Sequence, residues 1–210
     1  MEFETSKNIG GIGAILLIIG PLVSFVSAWA GLLGIVGIIM LLIAMKGLAD
    51  HYNEGGIFNN ALYGFITTIV GGVAFVGALV ISVLMALSTI LPTDWTNPDE
   101  WATIFTESFM DPSTIFTLMG SIIAALIVLF VVIVIASIFY RKSFNLLASK
   151  SGVGMFGTAG IVLLIGAILS VILIGIIVIW IAFILLAVAF FSLKPTTESP
   201  QTPETPPSST

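Results

Sequence analysis

The chain has 210 residues, of which 58% are hydrophobic and only 8% are charged, and its net charge is −5. Soluble domains carry about 25% charged residues, so a chain of this length could not hide so much apolar surface from water. The absence of cysteine excludes disulfides and thiolate chemistry, and the six scattered basic residues exclude a nucleic-acid-binding patch.

Long apolar tracts predict helices that cross a lipid bilayer. In lipid, only helices or closed barrels satisfy every backbone group, and a barrel strand alternates apolar and polar residues over about ten positions. The tracts here are much longer, and the first and last are each about twice the ~20 residues of one span. They cover residues 9–45, 61–91, 113–140 and 154–193.

Two of these tracts must contain a turn, which gives six spans. Gly20-Pro21 and Ser24 mark the first turn, because proline and serine suit tight turns, and Trp29 suits a membrane interface. Gly175 marks the turn in the last tract. We therefore predict an all-α transmembrane bundle. Its spans are 9–26, 28–46, 61–90, 113–139, 155–173 and 176–193.

The basic residues support six spans and orient the chain. With six spans, all six basic residues fall on one side, whereas four spans would place Lys7 and Lys46 on opposite sides. Loops rich in lysine and arginine stay in the cytoplasm. We therefore expect a multi-pass protein with both termini in the cytoplasm.

The first and last tracts resemble each other. Residues 11–24, GIGAILLIIGPLVS, align without a gap to residues 157–170, GTAGIVLLIGAILS. Because both segments would start at the cytoplasmic side, the two hairpins would form a parallel repeat. The alternative is coincidence, since chance matches are common in sequences this rich in isoleucine, leucine and glycine.

The extracytoplasmic loop, residues 92–112, has acidic but no basic residues. Asn97, Pro98 and Glu100 form the pattern of a helix start, with asparagine at the N-cap and proline at the first helical position. Aromatic residues then recur every four positions, which predicts a short helix over 97–109 in the membrane interface. An ordinary solvated loop is the alternative. Together with Trp29, the predicted interface residues are Trp95, Trp101, Phe105 and Phe109.

Proline marks two further boundaries. Asp111-Pro112 repeats the helix-start pattern and should begin the fourth span. Residues 194–210, after the last span, are rich in proline, threonine and serine, which predicts a disordered tail that cannot form a core.

Small residues recur at four-residue spacing within the predicted spans. In a membrane, this spacing lets helix backbones approach closely, and serine and threonine can hydrogen-bond across helices. Packing inside the bundle and a seam between copies of the chain both fit the pattern. The candidate packing residues are Gly20, Ser24, Gly64, Thr68, Gly72, Gly120, Ala124, Gly166 and Ser170.

Ionisable residues form no catalytic or metal-binding pattern. His51 lies beside Asp50 and near Glu54, but a metal site needs three or four convergent ligands, so a capping or solvated role is the stronger interpretation. Apart from Lys46 at the cytoplasmic limit of the second span, no Asp, Glu, Lys, Arg or His falls inside a predicted span, which argues against proton-coupled transport, ion pumping and intramembrane proteolysis. We predict no catalytic, metal or cofactor-binding site and no cofactor.

Three segments together resemble a known family. They are TSKNIGGIGAILLIIG at 5–20, KGLADHYNEGGIFNNALYGF at 46–65 and FYRKSFNLLASKSGVGMFGTAG at 139–160. This pattern resembles the prokaryotic, largely archaeal, integral membrane proteins of domain-of-unknown-function family 996. The resemblance covers most of the chain except the acidic loop and the tail. It implies a location in the plasma membrane of a prokaryote and implies no chemistry.

The sequence is compatible with two functions. The first is a non-enzymatic protein that acts through membrane packing, assembly or a cytoplasmic interaction surface at 46–60 and 141–151. Its partners would be the lipid bilayer and a second copy or another membrane protein, not nucleic acid. The second is a small channel or transporter for a neutral or apolar solute, which a water-filled path would support and a dry, fully packed bundle would oppose. The residues that could line such a path are Ser24, Thr67, Thr68, Ser82, Ser137 and Ser170.

Overall fold

The protein is described by a computed structural model over residues 2–24, 31–90, 96, 97, 99, 104 and 111–195. Within these ranges the regular structure is helical and contains no strand, which confirms the predicted fold class. Six helices are long and apolar enough to cross a bilayer. They are α1 (Phe3–Ser24), α2 (Gly31–His51), α3 (Gly55–Ile90), α4 (Pro112–Ser151), α5 (Met155–Leu169) and α6 (Ile174–Phe191).

The outward face of the bundle is apolar. Many isoleucine, leucine and valine side chains are exposed; Val73, for example, is 69% exposed and Phe116 is 73% exposed. In water this surface would be unfavourable by about 25 cal/mol for each Å². Lipid chains remove that cost, so the exposed surface is the one a multi-pass membrane protein presents to the bilayer.

The helices continue beyond the apolar tracts at one end of the bundle. There, α1 begins at Phe3 rather than at residue 9, α2 ends at His51 rather than at 46, and α4 ends at Ser151 rather than at 139. The predicted limits therefore mark where the apolar sequence stops and not where the helices stop. We call this the charged end, because all six basic residues lie there, on or next to these extensions or just after α6.

The charged end contains the most tightly packed part of the core. Large side chains from α2, α4, α5 and α6 are completely buried there. Leu48, Leu147, Phe156 and Phe190 each have an exposure of 0%. The Phe156 and Phe190 rings meet edge to face, with centroids 5.1 Å apart. This packing explains why the helices persist after the apolar sequence has ended.

Of the two predicted turns, the one between spans 9–26 and 28–46 lies outside the described residues, and the one at Gly175 differs from the prediction. Pro21 lies within α1, which continues to Ser24 before the undescribed residues 25–30. In the last tract, a 3₁₀ turn over Ser170–Ile172 follows α5, and Leu173 takes a left-handed conformation with φ 62°. Gly175 belongs to the first turn of α6, where the backbone of Gly166 passes too close for any side chain.

The ends of α4 follow their local sequence. Asp111 is the N-cap and Pro112 the first helical residue, as the Asp-Pro pattern predicts. The helix ends at Gly152, whose φ of 72° is left-handed and whose N–H donates to the carbonyl of Ala148. Glycine adopts this conformation without the steric penalty of a Cβ.

The six helices form a closed ring in chain order. Each helix packs against the next one, and α6 packs back against α1. Side chains also link helices through backbone carbonyls: Ser143 of α4 donates to Ile57 of α3, and the Trp180 indole of α6 donates to Ile18 of α1 at 2.9 Å. The second bond links α6 to α1 four residues before Leu22, whose own N–H faces the same Ile18 carbonyl, so it adds a cross-helix contact to that turn.

Helix length divides the ring into two parts. α3 and α4 have 36 and 40 residues, whereas α5 and α6 have 15 and 18. Gly160 of α5 lies level with Arg141 of α4, since a Cβ built on Gly160 would be 3.1 Å from the Arg141 Cα. From there α5 rises only about 14 Å to Leu169, while α4 continues about 44 Å to Pro112. The α3–α4 hairpin therefore projects well beyond the α5–α6 turn.

Candidate functional site

An apolar cavity occupies the middle of the helix ring. Its volume is about 230 Å³, and residues from all six helices line it. The lining is mostly leucine, isoleucine, alanine and phenylalanine. The lining residues are Leu17, Ile38, Leu41, Thr68, Ile133, Ala136, Ser137, Tyr140, Phe144, Leu163, Ala167, Ile179, Phe183 and Leu186.

The three polar side chains of the cavity have hydrogen-bond partners. The Thr68 hydroxyl donates to the carbonyl of Gly64 at 2.9 Å, and the Ser137 hydroxyl donates to the carbonyl of Val134 at 2.7 Å. A side-chain hydrogen bond also joins Tyr140 to Thr68. Because these groups are already engaged, the cavity presents an essentially apolar surface to an occupant.

Aromatic packing closes the cavity toward the charged end. Tyr140 and Phe144 follow each other by one helical turn of α4, with ring centroids 6.2 Å apart and an interplanar angle of 21°. Phe144 is 2% exposed. Gly64 of α3 lets the Tyr140 ring lie against its backbone, since an added Cβ would be 3.1 Å from that ring. The cavity thus has a packed floor on the side where the charged residues lie.

The hydroxyl groups do not form a continuous polar path. Ser24, Ser82 and Ser170 each donate to a carbonyl of the preceding turn in their own helix, at 2.8 Å. Of the predicted path residues, Thr68 and Ser137 line the cavity. The described cavity therefore has an apolar lining rather than the polar lining expected of a water-filled channel.

Two of the predicted packing glycines lie at close helix contacts. A Cβ on Gly20 of α1 would be 3.1 Å from the Gly34 nitrogen of α2. A Cβ on Gly166 of α5 would be 2.8 Å from the Ile179 nitrogen and 3.0 Å from the Gly175 oxygen, both in α6. Each glycine lets the two helices of its hairpin approach backbone to backbone.

The packing face of α3 differs from the prediction at its far end. Gly64 packs on α4, but a Cβ on Gly72 would meet no heavy atom within 4 Å, whereas one on Gly71 would lie 2.7 Å from the Val132 Cβ. Gly72 is eight residues after Gly64, which places it about 80° beyond two full helical turns. Gly71 is seven residues after Gly64 and lies almost on the same face. The face is therefore Gly64, Thr68 and Gly71.

In the outer part of α4, the predicted packing residues are exposed. Gly120 has no heavy atom within 4 Å of an added Cβ, and Ala124 is exposed. The neighbouring Ala125 is buried, at 2% exposure. In both helices, a neighbouring small residue makes the contact within the chain, and the predicted residues stay candidates for a seam between copies.

The predicted interface aromatics all lie outside the described residues. They are Trp29, Trp95, Trp101, Phe105 and Phe109. At the start of the predicted interfacial helix, Asn97 accepts a hydrogen bond from the Asp99 N–H through its side-chain oxygen, at 3.0 Å. This is the bond that an asparagine N-cap makes.

The single histidine takes part in an aromatic cluster at the charged end. The His51 ring lies 4.7 Å from the Phe3 ring and 4.9 Å from the Tyr52 ring, between centroids. Burial raises the pKa of the Tyr52 hydroxyl above its ordinary value. The cluster joins the start of α1 to the end of α2, so His51 has a packing role.

The acidic neighbours of His51 pair with lysines instead of converging on it. Asp50 lies 2.6 Å from the Lys46 ammonium one turn earlier, and Glu54 lies 3.2 Å from that of Lys150. Over the described ranges, no three His, Cys, Asp or Glu side chains are grouped as metal ligands. Exposed ion pairs of this kind contribute only about 0–1 kcal/mol each.

Comparison with known proteins identifies the family. The family model described as "Protein of unknown function (DUF996)" matches residues 33–184. The chain belongs to the DUF996 family. An uncharacterized protein of the archaeon Methanocaldococcus jannaschii is 32% identical over 193 residues, covering 92% of this chain and 94% of that relative. No solved structure matches the chain.

The α3–α4 contact of this DUF996 protein can be tested with two adjacent glycines. Gly71→Leu should lower the melting temperature in detergent, because the side chain would force α3 away from Val132 of α4. Overpacking of this kind costs about 1–3 kcal/mol. Gly72→Leu is the matched control and should leave the melting temperature nearly unchanged, as its side chain enters open space. A larger loss in Gly72→Leu than in Gly71→Leu would contradict the assigned face.

Proposed function

We propose that this chain is a non-enzymatic integral membrane protein that binds a small apolar solute inside its helix ring. The observation that carries the proposal is the cavity to which all six helices contribute. A chamber built jointly by every helix changes shape when any pair of helices moves. Binding in it can therefore be coupled to the arrangement of the whole bundle.

The chemistry of the lining favours binding over catalysis. The lining offers hydroxyls from Thr68, Ser137 and Tyr140 but no carboxylate, amine or imidazole to act as acid or base. Serine without a base is a weak nucleophile. An apolar occupant would gain contact with leucine, isoleucine and phenylalanine without leaving any of the hydroxyls unpaired. This supports the apolar-solute alternative over one that carries a polar solute through water.

The size of the cavity limits the occupant. Pockets that hold a complete drug-sized ligand measure about 300–1,000 Å³, and this one measures about 230 Å³. It is suited to a small apolar molecule or to one end of a larger one. Transport of the occupant would also require the ring to open.

The proposed location is the plasma membrane of a prokaryote, with the charged end and both termini in the cytoplasm. The support is that all six basic residues lie at that end of the bundle. Basic residues next to a span are retained in the cytoplasm. The helical extensions there would form a rigid cytoplasmic surface, which also supports an interaction with another protein as a second function.

A parallel repeat of the first and last hairpins forms part of the proposed architecture. Gly20 and Gly166 occupy equivalent positions in the two aligned segments. Each packs closely against a glycine of the other helix in its own hairpin, Gly34 in one case and Gly175 in the other. The shared position of this contact supports duplication rather than chance similarity.

Filling the cavity tests the proposed function. Ala136→Phe and Ala167→Leu each introduce a larger side chain at a buried lining position, with exposures of 5% and 0%. The protein is purified from its own membrane, and bound apolar molecules are extracted and measured by mass spectrometry. Both variants should hold several-fold less of the molecule found in the wild type, because the occupant loses its space.

The matched control is Ala124→Phe, which adds the same ring to an exposed alanine of α4. This control should retain the wild-type content of bound molecule. Equal content in wild type, control and cavity variants would contradict binding in the ring. So would a wild-type protein that holds no stoichiometric apolar molecule.

The orientation is tested with single cysteines, which can be introduced freely because the chain has none. Cysteines at Asn53 and Ser149, at the charged end, and at Thr205 should react with a membrane-impermeant maleimide only from the cytoplasmic side. A cysteine at Thr103, between α3 and α4, should react only from the other side. Labelling of Asn53 and Ser149 from opposite faces would contradict the six-span topology.

A further inference from the structure

A second apolar space adjoins the central cavity on the side away from the charged end. This cleft, of about 400 Å³, lies between the outer half of α4 and the α5–α6 turn. The lining contains one hydroxyl, that of Ser170, which donates to the carbonyl of Ala167. The lining residues are Ile123, Leu126, Ile127, Leu129, Phe130, Ile133, Ser170, Val171, Leu173 and Ile176.

The cleft and the cavity share a wall. Ile133 lines both spaces. On α4, Phe130 lies one turn before Ile133 and lines the cleft, and Ser137 lies one turn after it and lines the cavity. On α6, Ile176 lines the cleft and Ile179, one turn later, lines the cavity. Two apolar stripes therefore run from the cleft into the cavity, and the Ile133 side chain stands between the two spaces.

The cleft lies at the depth of lipid chains. The segment Met155–Ile172 has 18 residues and rises about 27 Å, slightly less than the ~30 Å hydrocarbon thickness. The turn is apolar and exposed: Val171 is 65% exposed and Leu173 is 72% exposed. A turn in the aqueous interface would favour polar residues. The α5–α6 turn therefore lies in the apolar part of the leaflet away from the charged end, and the cleft beside it opens into that leaflet.

We propose that the acyl chain of a membrane lipid in this leaflet enters the cleft and passes Ile133 into the central cavity. The inference rests on the proposed function and names its occupant as a lipid chain. A chain suits both spaces, because its headgroup can remain at the membrane surface while its end fills a cavity too small for a whole lipid. α4 extends beyond the turn on the same side and forms the long wall along which the chain lies.

The test uses photolabelling in vesicles. Wild-type protein is reconstituted in phosphatidylcholine that contains a phosphatidylcholine with a diazirine at the end of one acyl chain. After brief illumination, mass spectrometry locates the labelled residues. Labels are expected in the cleft, at positions such as Leu126 and Ile176, and in the cavity, at positions such as Ser137 and Phe183.

Ile133→Trp should block passage between the two spaces. Cavity labelling should fall about tenfold, which corresponds to ~1.4 kcal/mol, whereas cleft labelling should persist. Ile176→Trp, on the opposite wall, should act in the same direction, so that the result does not depend on one variant folding well. The matched control is Ile135→Trp, which enlarges a lipid-facing residue of α4 that is 42% exposed. Ile133→Ala should leave cavity labelling equal to or above that of the wild type.

The outcomes separate this inference from the proposed function. Cavity labelling that is unchanged in both tryptophan variants would overturn the access path. Absence of cavity labels in wild-type protein that still co-purifies with an apolar molecule would show that the occupant is not a lipid chain, and the proposed function would stand. Absence of both cavity labels and a co-purified molecule would overturn the inference and the proposed function together.

Discussion

Hydrocarbon supplies no hydrogen bonds, and this constraint governs where every polar group of the bundle lies. The hydroxyls of Ser24, Thr68 and Ser137 each donate to a carbonyl of their own helix, one turn back. The Trp180 indole of α6 donates to the carbonyl of Ile18 in α1. Because these groups are satisfied locally, the space enclosed by the helices can be apolar without leaving polar atoms unpaired. The same constraint keeps ionisable side chains toward the helix ends, with all six basic residues at the charged end.

The cavity results from tight pairing between helices that follow each other in the chain. Gly20, Gly71 and Gly166 bring the two helices of each hairpin close together. A ring of six closely paired helices leaves a space at its centre unless large side chains fill it. Near the charged end Tyr140 and Phe144 do fill it, whereas the alanines at 136 and 167 leave room further along. Small residues thus hold the ring together, and their placement determines where it is open.

Much of the architecture could be predicted from composition, and much of the detail could not. Apolar tract lengths and the positions of lysine and arginine predict six helices, because these depend on the bilayer rather than on tertiary contacts. The helices α1, α2 and α4 reach beyond the predicted spans because packing at the charged end prolongs them. Gly72 was chosen over Gly71 because four-residue spacing drifts off the helix face. The cavity depends on the order of helices around the ring, which no local sequence pattern encodes. No sequence pattern indicated that Trp180 would join α6 to α1.

The central claim is that the space inside the ring is apolar, dry and accessible to lipid chains. Its most direct test is a nitroxide attached to a single cysteine at Ser137, which lines the cavity and is 3% exposed. In vesicles, the nitroxide should relax through collisions with oxygen, which dissolves in hydrocarbon, and should be protected from a water-soluble nickel chelate. The same label at Asn53, at the charged end, should respond to the chelate. A Ser137 label that is as open to the chelate as the Asn53 label would contradict the account, because it would place water inside the ring.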